Sequence, residues 1–280
     1  MIKFYQIKLT PIRLKKYFCQ MDIVYTILEI IQHHYLLILA FFGTAVLYAS
    51  VGFGGGSSYA ALLSLTGLPY LQFRAISLLC NIAVVSNGTV MYAKNKLLDW
   101  KKVLPLVLLS VPFSFLGGFM KIEKQVFYVF LGISLLLVGI LMLFSKYLVP
   151  KDIENNPPKS NFYKNALIGG LIGFISGIVG IGGGVFLAPF LHLTRWDSSK
   201  KIAATTSFFI LVNSVSGILG QILNPSFVID YYLSSVLIIS VFLGGLIGSR
   251  LSTKTFDQKT IKQITAVLIV FVGIKVLFFS

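Results

Sequence analysis

Two stretches of this 280-residue sequence share one pattern, Val51-Gly52-Phe53-Gly54-Gly55-Gly56 and, at an offset of 128, Val179-Gly180-Ile181-Gly182-Gly183-Gly184. Two weaker matches follow in the same order, Leu116-Gly117-Gly118 with Leu243-Gly244-Gly245 at an offset of 127 and Leu137-Val138-Gly139-Ile140 with Phe271-Val272-Gly273-Ile274 at an offset of 134. Ordered matches at a nearly constant offset indicate an internal duplication. The sequence therefore predicts two repeats of similar structure.

The composition places both repeats in a membrane. Only 12% of the residues are charged and 56% are hydrophobic, whereas soluble chains carry about a quarter charged residues. Neither Lys, Arg, Asp nor Glu occurs anywhere between His34 and Arg74. A helix needs about 20 apolar residues to cross the hydrocarbon core. We therefore predict an all-α polytopic membrane protein with about eight transmembrane segments.

A hydrophilic stretch divides the chain between the repeats. It contains Asp152, Glu154 and the pair Pro157-Pro158, and such a composition is typical of a linker. We predict an N-terminal basic tail and lead-in over 1–35, a first membrane repeat over 36–145, a linker over 146–164 and a second repeat over 165–280. Each repeat then holds four apolar segments.

The first segment of each repeat is predicted to be broken at its GxGGG motif. As one helix, the uncharged stretch of the first segment would be about 58 Å long, nearly twice the thickness of the hydrocarbon core. Consecutive glycines weaken a helix, and irregular backbone in a membrane persists only where protein or a water-filled cavity satisfies it. A helix, a glycine break and a half-helix are therefore expected.

The distribution of basic residues favours inverted repeats. If each broken segment is a re-entrant hairpin, fifteen basic residues share one face, in the loops at 94–102, 146–164, 195–201 and 250–262. The other face then has nine, which are Arg74, Lys121, Lys124, Lys275 and five in the N-terminal tail. If the broken segments span fully, the split is fourteen against ten. The positive-inside rule favours the re-entrant arrangement, because it separates the charges better.

The two glycine breaks are the candidate binding site for an anion. Each would expose backbone N–H groups at the start of the following half-helix, from Ser57 and from Val185 onward, and helix N-termini bind anions without a cationic side chain. Paired broken helices commonly form one transporter site near the midplane. Asn81 and Asn213 should face the interior, where bonding between helices explains them as well as substrate contact does. The predicted substrate-binding residues are Gly52, Gly54, Gly55, Gly56, Ser57, Ser77, Asn81, Gly180, Gly182, Gly183, Gly184, Val185, Ser207 and Asn213.

Several other functions are disfavoured by what the spans lack. They contain no Asp or Glu, which disfavours a proton relay through carboxylates. Cys80 has no His or carboxylate in the spans to activate it, so an intramembrane enzyme is not expected. The sequence predicts neither catalytic residues, a metal site nor a cofactor. Because the Lys and Arg residues flank apolar runs, the formal charge of +15 indicates topology rather than nucleic-acid binding.

These motifs resemble the TauE/SafE (TSUP) family of sulfite exporters. The resemblance covers about 36–280 and is closest over Gly173–Gly184, followed by Pro189 and by Ala203-Ala204-Thr205-Thr206-Ser207. It implies a multi-pass carrier in a bacterial inner or plasma membrane that moves sulfite or an organosulfonate such as sulfoacetate. We predict a secondary transporter with alternating access. A passive anion channel, or a carrier of another sulfur-containing or carboxylate anion, is the alternative. The expected partners are a small anion and the lipid bilayer, and a homo-oligomer is compatible with the sequence.

Overall fold

The computed structural model describes residues 11–50, 54–148, 161–194, 196–251 and 258–279, and this part of the chain is built from ten helices. The helices are α1 Pro11–Ser50, α2 Gly56–Ser64, α3 Tyr70–Lys94, α4 Trp100–Phe119, α5 Lys124–Leu148, α6 Phe162–Val179, α7 Gly184–Leu193, α8 Ser199–Ile222, α9 Tyr231–Leu251 and α10 Gln258–Phe279.

The helix lengths confirm a polytopic membrane protein. Seven helices in the described ranges are long and apolar enough to cross a membrane, and α10 contributes a shorter apolar stretch, Ile269–Phe278. Helices α2 and α7, with 9 and 10 residues, are half-length helices that directly follow the glycine motifs. Eight long helices and two half-helices therefore match the expectation of about eight segments with two breaks.

The two halves of the fold pack in equivalent ways. Helix α4 lies along α6, where Gly117 contacts the Phe174 carbonyl oxygen, and α9 lies along α1, where Gly248 contacts the Val46 carbonyl oxygen. Val46 and Phe174 are separated by the same offset in the sequence as the two glycine motifs. The structural counterpart of Gly117 is therefore Gly248 and not Gly244. The sequence comparison pairs Gly117 with Gly244, one helical turn before Gly248. Residues four apart lie on the same face of a helix, so the two glycines are easily exchanged in such a comparison.

The repeats are inverted. The counterparts α3 and α8 run antiparallel: a Cβ at Gly217 would lie 3.2 Å from Leu78, whereas one at Gly182 would touch both Asn81 and Ser214. Helices α5 and α10 run antiparallel too, since Gly132 packs on Leu277 and Leu136 packs on Gly273. Counterparts run antiparallel when the pseudo-two-fold axis lies in the membrane plane.

The broken segment of the second repeat is a re-entrant hairpin. Helices α4 and α6 are parallel, because Gly169 packs on Leu106 and Gly177 packs on Ser114. At the start of α4, Lys102 Nζ lies 2.7 Å from Asp197 Oδ2 in the connection between α7 and α8. The α6–α7 segment therefore enters and leaves at one end of the helix bundle, and the fully spanning alternative is wrong for this repeat.

The first repeat follows the same plan at the opposite end. Helix α1 runs parallel to α9, because Ser240 Oγ donates a hydrogen bond to the Ile38 carbonyl and Gly244 packs on Phe42. The described ends of α3, α5, α7 and α9 and the starts of α4, α6, α8 and α10 then lie at one end, and the basic stretches of the sequence fall between each of these ends and the next start. We call this end of the bundle the basic end, and the positive-inside rule assigns it to the cytoplasm.

Candidate functional site at the two glycine breaks

The second glycine break needs glycine for its backbone conformation. Gly180, Gly182 and Gly183 have φ angles of +77°, +83° and +77°, in the left-handed region that other residues rarely adopt. Gly180 ends α6 as its C-cap, and Gly183 caps the start of α7. The chain therefore reverses direction within four residues, which makes the hairpin possible.

The first break needs glycine for close packing. Gly55 has an ordinary φ of −89°, but a Cβ at Gly56 would overlap the carbonyl oxygen of Ile181 in the other break. A Cβ at Gly54 would lie 2.9 Å from Asn81 Oδ1. The two breaks are thus in direct contact, as expected of a single centre. Gly52, which we also predicted to belong to the site, lies outside the described residues.

Two side chains of α3 join the breaks. Ser77 Oγ donates a hydrogen bond of 2.9 Å to the Gly56 carbonyl oxygen, and Asn81 Nδ2 donates one of 2.8 Å to the Ile181 carbonyl oxygen. Both side chains are fully buried, and Asn81 Oδ1 has no hydrogen-bond partner. Asn81 stands near the midpoint of the 25-residue helix α3, so the centre lies midway between the two ends of the bundle.

The counterpart of Asn81 in the second repeat is apolar. Ile210 on α8 contacts Gly54, Gly182 and Gly184, as Asn81 on α3 contacts Gly54, Gly56 and Gly182. The separation of the two side chains along the sequence is close to that of the glycine motifs. The two halves of the centre therefore have equivalent glycines but different side chains packed against them.

Unused hydrogen-bonding groups surround the centre. The first N–H groups of a helix have no acceptor within it, and those of α2 and α7 begin at Gly56 and Gly184. The hydroxyl oxygens of Ser57, Thr206 and Ser214 are buried and have no hydrogen-bond partner. Leaving a buried polar group without a partner costs about 1–3 kcal/mol. A bound polar ligand would remove this cost.

The remaining predicted residues are arranged differently. Asn213 Nδ2 donates to Ser110 Oγ on α4 at 3.1 Å and to the Phe209 carbonyl oxygen at 2.8 Å, which is a bond between helices rather than a contact with the breaks. Ser207 is buried on α8, and Val185 is 9% exposed in the first turn of α7. The structure brings Gly54, Gly56, Ser77, Asn81, Gly182 and Gly184 together.

Arg74 is a functional candidate that sequence reasoning missed. We expected it at the membrane surface, but α3 begins at Tyr70, so Arg74 lies inside the helix and is fully buried. Its Nη2 donates hydrogen bonds to the carbonyl oxygens of Gly117 at 3.1 Å and Gly177 at 3.0 Å. A signal was present in the sequence, because Arg74 is a single cation between the long uncharged runs 35–73 and 75–93.

Two helix C-termini balance the buried guanidinium. Gly117 lies in the last turn of α4, and Gly177 lies in the last turn of α6. Each helix C-terminus carries about half a negative charge, so the two together offset about one positive charge. A carboxylate partner of Arg74 is not found among the described residues. The placement of Arg74 in a loop at the membrane surface is therefore wrong.

Comparisons with known proteins agree with this architecture. The family model for the sulfite exporter TauE/SafE matches residues 36–276. The probable membrane transporter protein y4hK of Sinorhizobium fredii is 32% identical over 245 residues, which cover 86% of this chain and 97% of that protein. The probable membrane transporter protein YunE of Bacillus subtilis is 23% identical to this chain, over a stretch that covers 81% of this chain and 91% of that protein. The probable membrane transporter protein MJ0441 of Methanocaldococcus jannaschii is 27% identical, over a stretch that covers 78% of this chain and 88% of that protein. All three relatives are named as probable membrane transporters, and the chain belongs to the TauE/SafE sulfite exporter family of multi-pass membrane transporters.

Proposed function

We propose that the protein is a secondary carrier of small anions, with sulfite or an organosulfonate such as sulfoacetate as its substrate. The observation that carries the proposal is the meeting of the two glycine breaks at Asn81, midway along α3. Two half-helix N-termini start at these breaks, and their partial positive charges favour an anion.

The small size of the site favours a compact oxyanion. Gly54, Gly56 and Gly182 bring backbone close to Asn81, so the donors around the centre are backbone N–H groups and short hydroxyls. A sulfite or sulfonate group presents three oxygens as acceptors, and these match donors that converge from two helix ends. Carboxylate anions and other sulfur oxyanions share part of this chemistry and are competitors in the test below.

The contact between the breaks supports alternating access. Gly56 touches the Ile181 carbonyl, so an anion reaches the N–H groups between them only when the two hairpins move apart. The inverted repeats allow the two hairpins to separate in two equivalent ways. Either α1–α2 moves away from α6–α7, or α6–α7 moves away from α1–α2. This arrangement favours a carrier over the passive anion channel that we also considered.

The purified protein in liposomes tests this proposal. Radiolabelled sulfite should enter with saturable kinetics and exchange with unlabelled sulfite or sulfoacetate on the other side. Gly56→Ala should reduce this flux at least about tenfold, because the added methyl group overlaps Ile181 and Asn81. Gly43→Ala is the matched control, since a Cβ at Gly43 meets nothing within 4 Å.

Three outcomes would contradict parts of the proposal. Equal flux in Gly56→Ala and Gly43→Ala would remove the breaks from the substrate path. Large single-channel currents without counter-exchange would replace the carrier by a channel. If thiosulfate, sulfate or acetate is transported and sulfite is not, the substrate assignment fails while the architecture of the site remains.

A further inference from the structure

The guanidinium of Arg74 has hydrogen-bond donors that the fold does not use. Nη2 is bonded to the carbonyl oxygens of Gly117, Gly118 and Gly177, but Nε and Nη1 have no hydrogen-bond partner and are buried. An ionisable side chain inside a membrane protein commonly marks a substrate pathway. Arg74 therefore has both charge and free donors to offer a ligand.

A small cavity lies beside Gly118, one of the carbonyl acceptors of Arg74. It has a volume of about 10 Å³, enough for about one water molecule, and is lined by Leu71, Gly118, Gln221, Asn224 and Phe227. Gly118 is also a hydrogen-bond acceptor of Arg74, and Leu71 lies one turn before Arg74 on α3. Arg74 does not line the cavity itself, and the backbone of Gly118 connects its guanidinium to the cavity wall.

A second donor without a partner borders the same cavity. Gln221 is 4% exposed, and its Nε2 has no hydrogen-bond partner. The amide nitrogen of Asn224, which also lines the cavity, does have a partner. Its Nδ2 donates a hydrogen bond of 2.8 Å to the Phe119 carbonyl oxygen. Buried amide and guanidinium donors without acceptors are costly. Arg74 is hydrogen-bonded to Gly118, and Gln221 lines the same cavity as Gly118, so the unused donors of both side chains indicate a missing acceptor nearby.

The position along the bundle fits a substrate path. Arg74 precedes Asn81 by seven residues, which is two turns or about 10 Å along the same face of α3. The cavity is formed where α3 begins and where α4 and α8 end, away from the basic end. It therefore lies between the glycine breaks and the opposite, outer end of the protein.

We propose that Arg74 and Gln221 form a second binding station for a small oxyanion, between the glycine breaks and the outer end of the protein. The inference rests on the proposed anion transport. The anion accepts hydrogen bonds from the guanidinium and from Gln221 Nε2, an arrangement for which the planar fork of arginine is well suited. The cavity as it stands holds about one water molecule, so the oxyanion enters only when the α6–α7 hairpin moves. Arg74 then loses its bond to Gly177, and the oxyanion replaces that carbonyl as acceptor.

Anion binding and transport by purified variants test the station. The variants are Gln221→Leu, Arg74→Gln and Arg74→Lys, and the matched control is Gln125→Leu, an exposed glutamine near the same end. Sulfite titration calorimetry in detergent and the KM of liposome flux are measured, with monodispersity and thermal unfolding as folding checks. We expect Gln221→Leu to raise Kd and KM about tenfold with an unchanged maximal rate. Arg74→Gln should abolish calorimetric binding, and Arg74→Lys should restore part of it.

The outcomes separate this inference from the proposed function. If the wild-type protein moves neither sulfite nor a sulfonate, the proposed function fails. If it transports and both Gln221→Leu and Arg74→Gln behave like Gln125→Leu, only the second station is refuted. If Arg74→Gln does not fold, Gln221→Leu decides alone, because the Gln221 amide is unbonded at Nε2 and its replacement leaves the Arg74 contacts intact.

Discussion

At the scale of single residues, Gly180 combines two reasons for being glycine. Its φ is +77°, and a Cβ there would lie 2.9 Å from the Arg74 Cα. Gly67 shares the conformation, with φ +74°, but a Cβ there would meet nothing within 4 Å. In both alanine variants the left-handed backbone should lower the free energy of unfolding by about 1–2 kcal/mol. In Gly180→Ala alone, the clash of the new methyl group with Arg74 should lower it by about 1–3 kcal/mol more.

Thermal unfolding in detergent measures the difference. Gly180→Ala should lower the Tm clearly more than Gly67→Ala does. Equal losses would mean that the approach of α6 to Arg74 is loose enough to absorb a methyl group.

The positions of single polar residues could be predicted where leaving them in contact with lipid would be costly. Asn81 was predicted to face the interior because an amide in hydrocarbon needs a partner, and the structure confirms its burial. Its partner could not be predicted, because Ile181 is 100 residues away and offers only backbone. Arg74 was misplaced since its balancing charges are carbonyl groups of two helix ends, and such charges leave no trace in composition.

At the scale of helices, the α4–α6 contact depends on a line of glycines. Gly169 touches the Leu106 carbonyl oxygen, whereas a Cβ on its neighbour Gly170 would lie 3.2 Å from the Leu109 Cβ. Small residues let membrane helices approach at backbone distance. Gly169→Ala should destabilise the protein by about 1–3 kcal/mol, and Gly170→Ala by less than about 1 kcal/mol.

Urea or heat unfolding of both variants checks this prediction. It is contradicted if the two alanines cost the same, because Gly169 and Gly170 have the same helix propensity and differ in what they face.

The α4–α8 connection depends on an ion pair at the basic end. Burial raises the pKa of Asp197, but its hydrogen bonds with Lys102 and Ser198 and the charges of Lys102 and Lys201 outweigh that effect, so the pKa lies below its ordinary value. A carboxyl with a lowered folded pKa stabilises the fold above its unfolded pKa, near pH 4. This contribution is lost as the pH falls from there through the folded pKa.

Replacement of the carboxylate checks this linkage. Asp197→Asn should cost about 1–2 kcal/mol at pH 7 and progressively less below pH 4, relative to the exposed control Glu123→Gln. A cost independent of pH would mean that the side chain acts through its shape and amide-compatible hydrogen bonds alone.

At the scale of the whole molecule, the inverted topology makes a prediction about sidedness. Helix α10 runs antiparallel to α5, so the chain leaves it at the end opposite the basic loops. A periplasm-active phosphatase fused after Ser280 should be active, and a fluorescent protein fused there, which folds in the cytoplasm, should stay dark. The same reporters fused after Lys96 should give the reverse result. Cytoplasmic signals at both positions would refute the assignment of the basic end.

The whole fold was more predictable than its details. The long uncharged runs, the GxGGG repeat and the basic loops each depend on strong free-energy terms of the bilayer. The number of segments and the breaks therefore follow from the sequence, which also favours the inversion. The register between helices does not, because it depends on packing. Gly248 rather than Gly244 corresponds to Gly117 for this reason.

The side-chain asymmetry of the centre bears on the rates of a carrier that alternates between two shapes in which the repeats exchange roles. Asn81 corresponds to Ile210, and at the same spacing Arg74 corresponds to Ala203. If the halves exchange conformations, the exchanged shape lacks the amide bond to Ile181 and the guanidinium bond to Gly177. The two resting orientations then differ in energy, and the maximal rate and KM of such a carrier would differ between the two directions, while the ratio of maximal rate to KM stays equal in both.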